Sequence, residues 1–118
     1  MKAARWHAAK DIRVEETPIP SPKDNQVKIA VKFAGICGSD LAEYTHGPQL
    51  IPVDKPYPLN GHQGTTTLGH EFSGVVESVG KNVTIVKKGD RVVVEPIFKN
   101  PESPFIATGE YNLSEPLG

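Results

Sequence analysis

The residues with the clearest chemical potential are the single cysteine of the 118-residue chain, Cys37, and a histidine–acid pair, His70-Glu71. Cys37 lies in Gly35-Ile36-Cys37-Gly38-Ser39-Asp40, flanked by glycines and followed by a hydroxyl and a carboxylate. The glycines allow a sharp turn and a close approach to the sulfur. His70 stands in Gly69-His70-Glu71-Phe72-Ser73-Gly74. Thiolate and neutral imidazole are usual zinc ligands. The two residues are 33 positions apart (70 − 37), too far for a local zinc knuckle, and no C-x-x-C pair exists. A closed site of several cysteines is therefore excluded, whereas an open site of mixed ligands is not. Two other readings stand beside it. Cys37 could be a buried thiol in a turn, since free cysteine is among the most buried residue types. Cys37 and His70 could also form a nucleophilic pair, oriented by Asp40 or Asn60, although no spacing favours either partner.

The elements that must hold these groups are strands. Gln26–Ala34 alternates best, with Val27, Ile29, Val31 and Phe33 on one face, and runs straight into the cysteine turn. Ser39 or Asp40 is expected to cap a short helix through Leu41-Ala42-Glu43-Tyr44. Met1–Ala8, Asp11–Glu15, Leu68–Gly80 and Arg91–Glu95 supply further strand patterns, and Val83–Val86 is expected to extend them. Turns are expected at Lys23-Asp24-Asn25, Gly80-Lys81-Asn82 and Lys87-Lys88-Gly89-Asp90. Pro18, Pro20 and Pro22 keep the segment from Thr17 to Pro22 out of a central ladder. From Gly47 to Thr67 no period holds, and a loop of this length is often a lid or site wall. The expected fold is mainly β: short strands in a partly open barrel, short helices and one long loop.

Length and composition allow a single domain over residues 1–118. The net charge of −1 and the absence of a basic excess argue against nucleic acid as a partner. One cysteine gives no intrachain disulfide. The N-terminus has no apolar signal core and no run approaches a membrane span, which makes the cytoplasm the expected compartment. No two glycines are two residues apart, so G-x-G-x-x-G is absent, and no glycine loop ends in Lys-Ser or Lys-Thr. The chain carries no nucleotide fingerprint.

Taken in order, Gly35–Asp40, Gly69–Gly74, Gly80 and Gly89-Asp90-Arg91-Val92, with Met1-Lys2-Ala3 and Pro18-Ile19-Pro20, strongly resemble the zinc-dependent medium-chain alcohol and polyol dehydrogenases. Within that family the long loop and Glu110-Tyr111-Asn112-Leu113 are most similar to the 2,3-butanediol dehydrogenases. The resemblance implies a GroES-like barrel as catalytic domain, with residues 1–118 as its N-terminal part and the Rossmann domain absent. It implies Cys37 and His70 as ligands of a catalytic zinc, Glu71 as a neighbour or exchangeable ligand, and Asp40 as the group that orients His70. Ser39 would bind the substrate oxygen and start the proton relay. The reaction implied is hydride transfer between a secondary alcohol or polyol and NAD(P), bound through the absent domain, so that this chain alone would be inactive.

The chain also departs from the family pattern. The four ligand positions of the structural zinc lobe hold Asn100, Ser103, Ile106 and Ser114, so no structural zinc is expected. The relay histidine position is Ala42, and His46 lies one helical turn beyond it. With Cys37 and His70 as the only clear ligands and the third supplied by chain beyond residue 118 in the family, the isolated chain is expected to bind zinc weakly or not at all. A truncated barrel would also expose strand edges that invite self-association. A stand-alone GroES-like binding or assembly module is the alternative function, but such a module has no need of Cys37, His70 and Glu71 together. A zinc-free reductase relative ranks last.

Overall fold

The computed structural model describes residues 1–115. Six strands dominate it: β1 (Lys2–Ala8), β2 (Asp11–Glu16), β3 (Val27–Ala34), β4 (Thr66–Thr67), β5 (Phe72–Val79) and β6 (Arg91–Val93). Helix α1 (Gly38–His46) follows β3, while α2 (Phe105–Thr108) and a 3-10 turn (Tyr111–Leu113) end the described chain. The strands form two antiparallel sheets of three, ordered β2-β1-β4 and β3-β5-β6. The sheets do not close into a barrel, so each keeps two edge strands.

The core is small. Trp6, Val76 and Ile51 are the buried apolar residues among those described. Trp6 sits in the centre of β1 and its indole N–H donates to the carbonyl of Glu43 at 2.9 Å, which fastens the first sheet to α1. Val76 lies mid-strand in β5, the central strand of the second sheet. Burying these two side chains accounts for about 1.5–3 kcal/mol each.

One local expectation is corrected by the structure, and one strand is buried unevenly. Residues 83–86 form no strand; they leave the turn after Gly80 as irregular chain, and Ile85 is almost wholly exposed. The hydrogen bond from Val83 N–H to the Gly80 carbonyl, at 3.1 Å, commits this segment to a turn rather than a ladder. The apolar face of β3 is also not uniformly buried, since Val31 and Phe33 are exposed. Register shifts at Lys28/Ile29 and Val31/Phe33 break the strict alternation, as β-bulges do. β3 is moreover an edge strand whose extensive contacts are with β5 alone. The turn at Lys87–Asp90 forms as expected. The Lys87 N–H donates to the Asp90 carboxylate at 2.9 Å, and this bond, with the lysine charge, holds that carboxyl below its ordinary range.

Candidate metal centre

The β3–β5 pairing brings the two chemical motifs together. Its last register pair is Ala34 opposite Phe72, and the Gly35 N–H extends the ladder to the Glu71 carbonyl at 2.7 Å. Cys37 therefore lies three residues past one strand end, beside His70 two residues before the other. One ligand atom each from Cys37, His70 and Glu71 lies within 4.8 Å of the others. This is the separation in space that 33 residues of sequence left open. A Cβ at Gly35 would stand 2.9 Å from the Glu71 carboxylate, the movable end of an exposed side chain, so the glycine lets that carboxylate lie close to the cysteine turn. Gly38 meets no such demand, as nothing lies within 4 Å of its Cβ position. The chain reaches His70 through Gly69, whose φ of +95° favours glycine.

Helix α1 begins two to three positions earlier than expected from a cap at Ser39 or Asp40. Cys37 itself is the N-cap, and Asp40 at the third helical position accepts the Cys37 N–H at 2.9 Å. This is the carboxylate half of a capping box, with cysteine where serine or threonine usually stands. The other Asp40 oxygen accepts the Gly69 N–H at 3.3 Å and lies 3.6 Å from His70 Nδ1. One buried carboxylate thus holds the backbone at the cysteine and the backbone before the histidine, and stands beside the imidazole. With Nδ1 directed at Asp40, Nε2 faces the other way and lies 3.5 Å from the Ser39 hydroxyl. An outer carboxylate that sets a histidine tautomer in this way is a general feature of metal sites. The Cys37 thiol is held below its ordinary pKa, first by the Ser39 hydroxyl, then by the Ser39 backbone N–H and His70; partial burial and the Glu71 charge oppose them.

The donor set fits a divalent zinc ion. Zinc bonds of about 2.0–2.3 Å at tetrahedral angles place ligand atoms about 3.3–3.8 Å apart, so the cluster needs to contract by roughly 1 Å. Sulfur, nitrogen and oxygen donors at the protein surface suit an open site rather than a closed structural one. Two surface hollows lie elsewhere. One, of about 560 Å³, flanks the Lys23–Gln26 turn, and another, of about 260 Å³, is lined by residues 48–58. The Asn60 carboxamide is occupied by the His62 N–H at 2.8 Å, which removes one orienting partner from the thiol-nucleophile reading. His46 is exposed and pairs with the Thr45 hydroxyl at 2.7 Å, so its ring offers Ser39 no relay.

At the structural-lobe positions, Asn100 accepts the Glu102 N–H at 3.0 Å and Ser103 accepts the Phe105 N–H at 3.4 Å. Ser114 is fully buried, with its hydroxyl unpaired. The lobe is held by other means. Lys99 Nζ stands 3.5 Å above the Tyr111 ring and 3.2 Å from Glu95, and the Asn100 amide donates to the Glu115 carbonyl at 2.7 Å. What the sequence did not announce is Glu43. It is buried in α1, a position where charged side chains are rare unless paired. The signal was available in its setting, an acid one turn after Asp40 and just ahead of Gly47-Pro48.

Comparison with known proteins agrees with this geometry. (R,R)-Butanediol dehydrogenase of Bacillus subtilis (strain 168) is 55% identical over 118 residues, all of this chain and 33% of that protein. The Neisseria gonorrhoeae enzyme of the same name is 43% identical over 99% of this chain and 33% of its own length. Sorbitol dehydrogenase of Gallus gallus is 44% identical over 92% of this chain and 28% of its own. The crystal structure of 2R,3R-butanediol dehydrogenase from Bacillus subtilis superimposes with a TM-score of 0.89 over 99% of this chain and 33% of that one. The chain thus spans about a third of the length of the relatives it matches. Residues 23–118 match the family model described as the alcohol dehydrogenase GroES-like domain, and the chain belongs to that family.

Proposed function

We propose that this chain supplies the alcohol- and zinc-binding part of a zinc-dependent NAD(P) oxidoreductase acting on secondary alcohols or polyols of the 2,3-butanediol kind. The observation that carries the reading is the convergence of Cys37, His70 and Glu71 with Asp40 behind the histidine. Cys37, His70 and Glu71 are the residues that would hold zinc, which when bound lowers the pKa of a coordinated hydroxyl. Ser39, whose hydroxyl lies 3.5 Å from His70 Nε2, would hydrogen-bond the alcohol oxygen and pass its proton on to water, giving up its own hydroxyl proton as it accepts the alcohol's. Asp40 holds the imidazole for this task without touching the alcohol. NAD(P) would bind to a partner domain, since this sequence has no dinucleotide fingerprint. Among the described residues no helix is long and apolar enough to cross a membrane, which agrees with a cytoplasmic enzyme. Alone, the chain would self-associate through its uncovered sheet edges, where Phe33 and Val93 are exposed.

A chimera tests the reading. Replacing the matching segment of the Bacillus subtilis butanediol dehydrogenase with this chain should give an enzyme that reduces NAD on adding 2,3-butanediol. Cys37→Ser and His70→Ala should each abolish that activity and the bound zinc. A soluble, folded chimera that retains zinc in both variants would overturn the assignment of the ligands. The 118-residue chain by itself should show neither turnover nor tight stoichiometric zinc.

A further inference from the structure

The second buried acid of α1 has no part in the metal cluster. Glu43 is only 4% exposed, and its carboxylate accepts three successive backbone N–H groups, from Gln49, Leu50 and Ile51. The Gln49 bonds measure 3.1 and 3.0 Å to the two oxygens, and the Ile51 bond 3.2 Å. Successive N–H groups turned inward form a concavity that binds anions. Here the anion is the protein's own side chain. Pro48 and Pro52, which have no N–H to offer, bracket the three donors.

The same helix also holds the far end of the loop. Asp40 lies one turn before Glu43, on the same face, and accepts the Gly69 N–H where the chain re-enters the site. The loop therefore leaves from one buried carboxylate of α1 and returns to the other. Gly47 shows how tight the departure is: a Cβ there would collide with both the carbonyl and the carboxylate of Glu43.

We propose that Glu43 is a positioning residue, which seats the first turn of the 47–65 loop on the helix that carries Cys37. That this loop borders the alcohol belongs to the reading above; the clamp does not depend on it. Site-resolved hydrogen exchange of the 118-residue chain tests the clamp without metal, alcohol or cofactor, so its failure is distinct from failure of the dehydrogenase reading. In the unmodified protein the amides of Gln49, Leu50 and Ile51 should exchange within tenfold of those of Thr45 and His46. Free-peptide rates at 49–51 would overturn the proposal. In Glu43→Gln, which keeps the shape and one acceptor oxygen but removes the charge and sets an NH2 against the Gln49 N–H, exchange at 49–51 should rise tenfold or more. The β3–β5 ladder should stay unchanged. Equal acceleration of the ladder would make Glu43 a general stabiliser and sink the positioning role, as would no change at 49–51. Gly47→Ala leaves the carboxylate in place and should release the same three amides. Should Glu43→Gln fail to fold, the unmodified protein and Gly47→Ala decide the matter.

Discussion

Replacing Asp40 by alanine should damage the fold and the metal site together, by amounts set by the bonds it makes. Asp40 is 9% exposed and accepts the N–H groups of Cys37 at 2.9 Å and Gly69 at 3.3 Å. A buried donor stripped of its acceptor costs about 1–3 kcal/mol. Both donors are only partly buried, and water entering the vacated space would satisfy them in part. A loss of about 2–4 kcal/mol follows for Asp40→Ala. Asp40→Asn keeps the shape and one acceptor oxygen, which halves the loss to about 1–2 kcal/mol. Against a total stability of about 5–15 kcal/mol for a small domain, the alanine variant is severely weakened and the asparagine variant still folds. Urea unfolding followed by circular dichroism would measure both. The consequence for zinc is separate. Outer-shell partners of a ligating histidine change metal affinity about 10–100-fold. Asp40→Asn in the butanediol dehydrogenase chimera should lose zinc within that range, read by competition with a chromogenic chelator. If Asp40→Ala unfolds within 0.5 kcal/mol of the parent, or folded Asp40→Asn holds zinc as tightly as before, Asp40 is not the residue that joins the two motifs.

Iodoacetamide alkylation of Cys37, followed against pH by mass spectrometry, should show a midpoint below that of an ordinary thiol. The thiolate then persists to lower pH in the folded chain, so the associated stability is present above the unfolded value and fades as pH falls through the folded one. Ser39→Ala removes the largest cause and should move the midpoint upward; an unmoved midpoint would disprove that origin. Val76→Ala, at a fully buried position in the central strand, should cost about 1.5–3 kcal/mol in chemical denaturation, and a cost below 0.5 would show that this core is loosely packed. Phe33→Ser, at a position 77% exposed, should leave stability within about 0.5 kcal/mol and shift light scattering at high concentration toward the monomer. A parent chain that is already monomeric at that concentration would refute self-association through this edge.

How far the sequence could be read depended on whether a feature was local. The strand around Val31 follows from alternation, those around Trp6 and Val76 from weaker apolar patterns, and the Gly89 turn from residues within four positions of one another. Burial is not local. Val31 and Phe33 carry the pattern of a half-buried strand, yet whether anything covers them depends on chain far from β3. The site was only partly legible for a similar reason. The residues alone left open whether Cys37 and His70 meet, and only the family resemblance implied it; the β3–β5 register supplies the physical reason, since the two motifs sit at paired strand ends. The helix cap was harder to see, because cysteine occupies the place that serine or threonine usually marks.

Glu43 was hidden by a different cause. A carboxylate in an amphipathic helix reads as a solvated group, and only the geometry shows three N–H groups converging on it. Asp40 and Glu43 together suggest why this helix carries two buried acids in nine residues. Each accepts several backbone donors, which lets a short helix organise chain that has no ladder of its own. Such a site is held by backbone N–H groups, which substitutions in the loop leave in place. The exposed side chains of this loop are then free to vary without disturbing Cys37 and His70, whereas Ile51, buried in the core, is not. On this view the loop sequence can change around a fixed Cys37–His70 pair, provided Gly47, Glu43, Gly69 and Asp40 remain.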